Sequence, residues 1–160
     1  MTKHLIDLQT LKAINLAASN EETRYYLKGV CLEPAAESHV IMVATDGHLM
    51  AAARTQSEAM EPLAKSVIIP ATMIKALKLA RKGPSIGELT VEGLDFAISF
   101  AGAVVGGKLI DGTFPDWRRI MPQPQEPLVT AKGEQFRPFV HFNPELLARM
   151  QKIGQALPNG

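Results

Sequence analysis

Nine residues of this chain recur, and the recurrence limits the folds open to it. Ile6-Asp7-Leu8-Gln9-Thr10-Leu11-Lys12-Ala13-Ile14 lies without a gap over Ile69-Pro70-Ala71-Thr72-Met73-Ile74-Lys75-Ala76-Leu77, 63 residues on. A weaker third copy, Phe142-Asn143-Pro144-Glu145-Leu146-Leu147-Ala148-Arg149-Met150, comes 73 residues after the second. An internal repeat of this length implies one supersecondary unit used more than once. Each copy reads as the end of a short strand running into an amphipathic helix. Asp7 and Asn143 stand where an N-cap belongs, and Pro144 suits a first helical position. Apolar residues return at helical spacing in Leu11, Ile14, Ala17 and Ala18, and again in Met73, Ile74, Leu77 and Ala80.

The segment after each helix repeats as well. Three strand-like runs come after the first: Tyr26–Glu33, His39–Thr45 and His48–Arg54, the last two flanking the turn dipeptide Asp46-Gly47. Three come after the second: Glu88–Glu92, Asp95–Phe100 and Ala103–Ile110, with turns at Gly93-Leu94 and Ala101-Gly102. Residues 3–122 therefore read as strand–helix–three strands, twice, with halves of about 3–55 and 66–122. Two such halves can bury both helices on one face of an antiparallel sheet, an α+β fold. Residues 123–138 read as a linker, and 139–160 as the start of a further unit. The apolar stripe of that last helix must pack back onto the domain or be covered by another chain.

Composition narrows the function. Net charge is +1, so any contact with nucleic acid must come from a local basic patch rather than a global field. One cysteine, Cys31, excludes an internal disulfide and reads as a buried thiol. His4, His39, His48 and His141 show no metal-ligand spacing. Gly106-Gly107-Lys108 lacks the spacing and setting of a phosphate loop. Thr45-Asp46-Gly47-His48 reads as a hairpin turn, not an acid–histidine pair, since no nucleophile accompanies it. No catalytic residue, metal or cofactor is expected. An acid at Asp7 interrupts any signal-like run, and no apolar stretch could span a bilayer, so the cytoplasm is the expected compartment.

Three segments carry a resemblance: Arg24-Tyr25-Tyr26-Leu27-Lys28-Gly29, Val43-Ala44-Thr45-Asp46-Gly47-His48, and Lys108-Leu109-Ile110-Asp111-Gly112-Thr113-Phe114-Pro115-Asp116-Trp117-Arg118-Arg119-Ile120-Met121-Pro122. In this order and spacing they resemble the bacterial DNA sliding clamp, the β subunit of the replicative DNA polymerase III. Residues 3–122 resemble its middle domain and 139–157 the opening strand and helix of its third. The resemblance implies a clamp fold with the same internal symmetry, and a non-enzymatic accessory of DNA replication or repair.

Further site assignments rest on that resemblance alone. Family helices line a ring around duplex DNA, touching phosphates rather than base edges. At about 100° per residue, Lys75, Lys78 and Lys82 share one side of helix two, and Lys12, Asn15 and Ser19, with Leu8, share the matching side of helix one. Geometry alone allows a merely solvated lysine face. The resemblance assigns DNA contact to Lys75, Lys78, Lys82 and Lys12, and more weakly to Arg24, Tyr25 and Tyr26. It places a docking pocket for client peptides at Leu27, Thr45, Gly47, His48, Leu49, Pro115, Arg119 and Ile120, with Leu49 where the family commonly has arginine. Trp117 and Phe114 fall in the connector that closes the domain. Implied partners are double-stranded DNA, polymerases or repair proteins carrying a clamp-binding peptide, a clamp loader, and further copies of the chain if a ring forms; no membrane is implied. A second reading is a monomeric clamp-like module that binds client peptides or a full-length clamp without encircling DNA.

Overall fold

A computed structural model describes residues 2–36, 39–56, 63, 65–79, 85–121, 128–129, 135–136 and 143–158. Strand β1 (Thr2–Asp7) runs directly into helix α1 (Leu8–Ile14), and strands β2 (Gly29–Ala35), β3 (His39–Thr45) and β4 (Met50–Gln56) come next. The same order returns as β5 (Val67–Pro70), α2 (Ala71–Ala76), β6 (Ile86–Glu92), β7 (Asp95–Phe100) and β8 (Ala103–Lys108). A short ladder, β9 (Leu128–Val129) with β10 (Gln135–Phe136), lies within the expected linker, and helix α3 (Pro144–Ala156) comes last. The strand expected before α3 falls outside the described residues.

The strands form two four-stranded antiparallel sheets, ordered β4-β3-β2-β5 and β1-β6-β7-β8, and each sheet takes one strand from the other half of the chain. The repeat is kept down to single hydrogen bonds. Asp7 pairs with Ile86, the first residue of β6, and Pro70, 63 residues after Asp7, pairs with Gly29, the first residue of β2. Leu8 donates its N–H to the Ser85 carbonyl at 2.7 Å, and Ala71 donates to the Lys28 carbonyl at 2.9 Å. The first N–H of each helix has no partner within the helix, and here the strand exchange supplies one.

The core lies between the helices and the sheets. Ile6, Leu8, Leu11, Ile14, Leu32, Met42, Ile69, Ile74, Leu77, Leu89 and Ile98 are all essentially inaccessible. Each such side chain contributes roughly 1.5–3 kcal/mol of transfer free energy. Cys31 is fully buried, as its strand position suggested, and burial pushes its thiol up to about 12, with the Glu33 charge adding and Arg118 opposing.

Both helices are shorter than the apolar periodicity indicates. Asp7 caps α1, accepting the Thr10 N–H at 2.7 Å, but a 3-10 turn replaces the α-helix from Asn15 to Ala17. Pro70 gives α2 no side-chain cap, and the helix stops when Leu77 turns extended (ψ 112°) and enters the core. Tyr25–Leu27, whose last two residues read as the start of a strand, is a 3-10 turn. At the β7–β8 connection Ala101 (φ 46°) and Gly102 (φ 78°) are both left-handed, as a two-residue hairpin with the sheet's own twist requires.

Helix α3 folds back onto the domain. Asn143 caps it by accepting the Glu145 N–H at 2.9 Å, and Pro144 occupies its first turn, as the sequence indicated. Ile153 is buried in the core, and the Gln9 amide donates to the Ala156 carbonyl at 3.5 Å, so α1 touches α2 and α3 alike. Among the described residues no helix is long and apolar enough to cross a membrane.

His4 is a buried titratable group in the core-facing part of the sheet. It is 1% exposed in β1, its Nε2 has no hydrogen-bond partner among the described residues, and burial pushes its pKa below the ordinary 6.5. The unfolded chain therefore takes up a proton below pH 6.5 that the folded chain takes up only at lower pH. Stability sustained by neutral His4 is complete above that value and declines as pH falls below it. A His4→Leu variant is expected to lose less stability than the parent between about pH 6.5 and pH 5, read from urea midpoints across that range.

Candidate nucleic-acid interface and peptide-docking surface

The loop Asp46–Leu49 between β3 and β4 is built by two side chains. Thr45 pairs with Met50, which leaves four residues in the connection rather than the two of the tightest hairpins. The Asp46 carboxylate accepts the N–H groups of His48 and Leu49, each at 2.9 Å. The Thr45 hydroxyl donates to the Leu49 carbonyl at 2.8 Å and accepts the Gly47 N–H at 3.0 Å. Gly47 adopts φ +92°, a left-handed conformation that favours glycine, and the tip of the Arg24 side chain lies 2.7 Å from where a β-carbon would sit. The result buries Thr45 and Leu49 and exposes Gly47 and His48.

Asp46 has a second task. Its other oxygen accepts a bond from Arg149 of α3 at 2.5 Å, and Arg149 also donates to the Leu16 carbonyl at 3.3 Å. Burial pushes the Asp46 carboxyl up. The Leu49 N–H, Arg149 and the His48 N–H, together with the Arg149 charge, outweigh it and hold the group below the usual carboxylate range.

Two further segments carry the remaining docking positions. Leu27 is buried, its carbonyl accepting the Ser19 N–H at 2.9 Å, while Tyr25 is exposed and Tyr26 half-buried, ring to edge at 5.6 Å. Gly112 packs so close to both tyrosines that a β-carbon there would lie 3.1 Å from Tyr26. The chain then enters a 3-10 turn, Trp117–Ile120, held from beneath by Glu33. Glu33 accepts the Trp117 indole N–H at 3.1 Å and the Arg118 guanidinium at 2.7 Å, and that guanidinium lies 4.3 Å from the centre of the Trp117 ring. Pro115, Arg119 and Ile120 stand exposed along this segment, Ile120 at 68%.

The fold thus sorts the eight docking positions. Leu27, Thr45 and Leu49 are buried, while Gly47, His48, Pro115, Arg119 and Ile120 are on the surface. Glu33, Asp46 and Arg149 hold these segments in place, and sequence reasoning missed all three as a supporting set. The dipeptide Asp46-Gly47 signalled the turn, but nothing local signals a partner 103 residues away.

The basic positions are also redistributed. Lys75 is exposed on α2. Lys78 is exposed but lies past the helix end, so the shared helical side extends no further than Lys75, and Lys82 lies outside the described residues. Lys12 does not project freely: its ammonium donates to the Leu77 carbonyl at 2.7 Å, closing the end of α2. Asn15 and Ser19 are buried, which corrects the solvent-facing side expected for helix one. A cleft of about 260 Å3 gathers Asn15, Asn20, Asp46, Lys75 and Arg149 among its lining residues. The described α-helices and the residues just after α2 carry Lys12, Lys75, Lys78, Arg149 and Lys152 against one acid, Glu145. Glu88, Glu92 and Asp95 lie instead on the β6–β7 hairpin. Among the described residues no three His, Cys, Asp or Glu side chains gather as metal ligands.

Because Lys12 closes α2, Lys12→Met is expected to lower stability by about 1 kcal/mol, the scale of a hydrogen bond from a charged donor that is partly exposed. Lys75→Met, at an exposed position, should stay within about 0.5 kcal/mol of the parent. Paired urea titrations compare them.

Residues 3–116 match the family described as the DNA polymerase III β subunit, central domain. The chain is 32% identical over 139 residues to the β sliding clamp of Caulobacter vibrioides, covering 84% of this chain and 37% of that one. With the Vibrio cholerae β sliding clamp it shares 33% over 116 residues, 71% of this chain and 31% of the other. Among solved structures, the Bartonella birtlesii clamp bound to griselimycin superposes with a TM-score of 0.65 at 28% identity, over 76% of this chain and 35% of that one. The Pseudomonas aeruginosa DNA polymerase III β subunit gives 0.65 at 25%, over 79% and 36%. The chain spans about a third of the length of the curated relatives it matches.

Proposed function

Because the chain belongs to the family of the DNA polymerase III β subunit's central domain, we propose that it serves DNA replication or repair as a non-catalytic, clamp-like accessory. Copies assemble around duplex DNA, with the helical side toward the phosphates, and the outer surface docks peptides of polymerases or repair proteins. The observation that carries this reading is the basic helical side. Lys75, Lys78 and Lys152 are exposed on or beside the helices, whose described residues carry one acid, Glu145. Such a face attracts phosphate without reading bases, since each neutralised phosphate releases a counterion and carries no sequence information. Lys12, committed to Leu77, is not among these contacts in the proposal. Arg24, Tyr25 and Tyr26 remain candidates at the rim, and a loader would be needed to open a closed ring.

For docking, His48, Pro115, Arg119 and Ile120 would meet the peptide, over a layer of buried Leu27, Thr45 and Leu49. An exposed isoleucine held on a braced turn is the kind of surface feature a partner covers. The monomeric alternative draws support from α3, which packs in the same chain and so occupies a flank of α1 that another subunit could otherwise use.

Retention on nicked circular DNA that is lost on linearisation is expected for an encircling assembly; a stable 17.4 kDa monomer retained equally on both forms would support the alternative. For the charge contact, Lys75→Ala and Lys78→Ala should each reduce the salt slope of DNA binding by about 0.9, and an unchanged slope would remove them from the interface. For docking, Ile120→Asp should abolish binding of a fluorescent peptide bearing a replicative polymerase's clamp-binding sequence while the thermal midpoint holds. Equal binding by parent and variant would remove Ile120 from the site.

A further inference from the structure

We infer that Arg149 is a positioning residue for the docking loop, acting through Asp46 from a helix outside residues 3–116, the segment that matches the family. The inference rests on the peptide-docking reading above, and it adds regulation of that surface by the chain's own last helix. Asp46 joins the two. One carboxylate oxygen fixes the backbone of His48 and Leu49, and the other holds Arg149. The Asp46 side chain is 17% exposed and that of Arg149 is 36% exposed, so the carboxylate is largely withdrawn from water while the guanidinium keeps one side in it.

Removing the arginine leaves a mostly buried carboxylate without its cation, which is far costlier than losing an exposed pair. The carboxylate recovers solvation by turning outward, and that turn releases the two N–H groups that set the loop. His48 and its neighbour Gly47 then lose their fixed presentation. The guanidinium itself is well placed to hold Asp46. Its second nitrogen is bound to the Leu16 carbonyl, and Ile153, one turn further along α3, is buried in the core. Coupling of this kind is reciprocal: whatever α3 contributes to peptide binding, a bound peptide returns to the docking of α3.

The test uses the full chain with Arg149→Gln and Arg149→Lys beside the parent. Two readouts are taken: affinity for the fluorescent clamp-binding peptide, and amide exchange of His48, Leu49 and α3 without peptide. The expected result is a loss of affinity of about fivefold or more in the Gln variant, partly restored by Lys, with faster exchange at His48 and Leu49. Asp46→Asn should weaken binding similarly, and the double variant should be no worse than either single change, because both break one contact. Exchange at His48 and Leu49 that is unchanged in Arg149→Gln overturns the positioning role, whatever the peptide does. Equal affinity of parent and Gln variant overturns its link to docking. If the parent binds no peptide, the docking reading itself fails, and the exchange comparison still decides whether Arg149 sets the loop.

Discussion

The exchange of strands between the halves, β1 onto β6 and β5 onto β2, is the constraint on which the rest of the structure depends. A half taken alone would carry a three-stranded sheet with an open edge and a helix of six or seven residues, too short to persist in water unaided. Crossing the strands covers one edge of each three-stranded set and gives the first N–H of each helix its carbonyl partner. It also brings the two helices side by side, so that Lys12 of one can close the end of the other. Each half is therefore stabilised by atoms of the opposite half, and the two are expected to unfold as one unit.

This frame places the candidate surface at the junctions. The Arg24–Leu27 turn, the Asp46 loop and the Pro115–Ile120 segment are all connections, and each is held by a polar residue from elsewhere in the chain: Ser19 at Leu27, Arg149 at Asp46, Glu33 beneath Trp117 and Arg118. Loops hold a fixed shape when their polar groups are satisfied by the scaffold. Here the scaffold includes α3, which extends the support of a clamp-like domain into residues beyond it.

The sequence made much of the architecture legible because the signals involved are local. Asp7 and Asn143 as caps, Pro144 in a first turn, Gly93-Leu94 and Ala101-Gly102 as hairpin ends, and Cys31 as a buried thiol all reflect the preferences of residues beside them. The helix ends were less legible. Leu77 continues the apolar period of α2, yet it leaves the helix to fill the core, since a fully buried leucine outweighs another turn of a short, uncapped helix. That single departure separates Lys78 from Lys75, because periodicity carries a face only as far as the helix runs.

Sequence by itself determined the duplicated strand–helix–three-strand plan, the residues able to start helices and turn hairpins, and the family to which 3–116 belongs. Those depend on spacing and on neighbours along the chain. Tertiary structure alone decided that Lys12 would be committed to a carbonyl 65 residues away, that Leu27, Thr45 and Leu49 would lie beneath the surface while Ile120 stands on it, and that α3 would return to bind Asp46. A polar side chain's partner is set by which groups burial leaves unsatisfied, and that is known only once distant segments have packed.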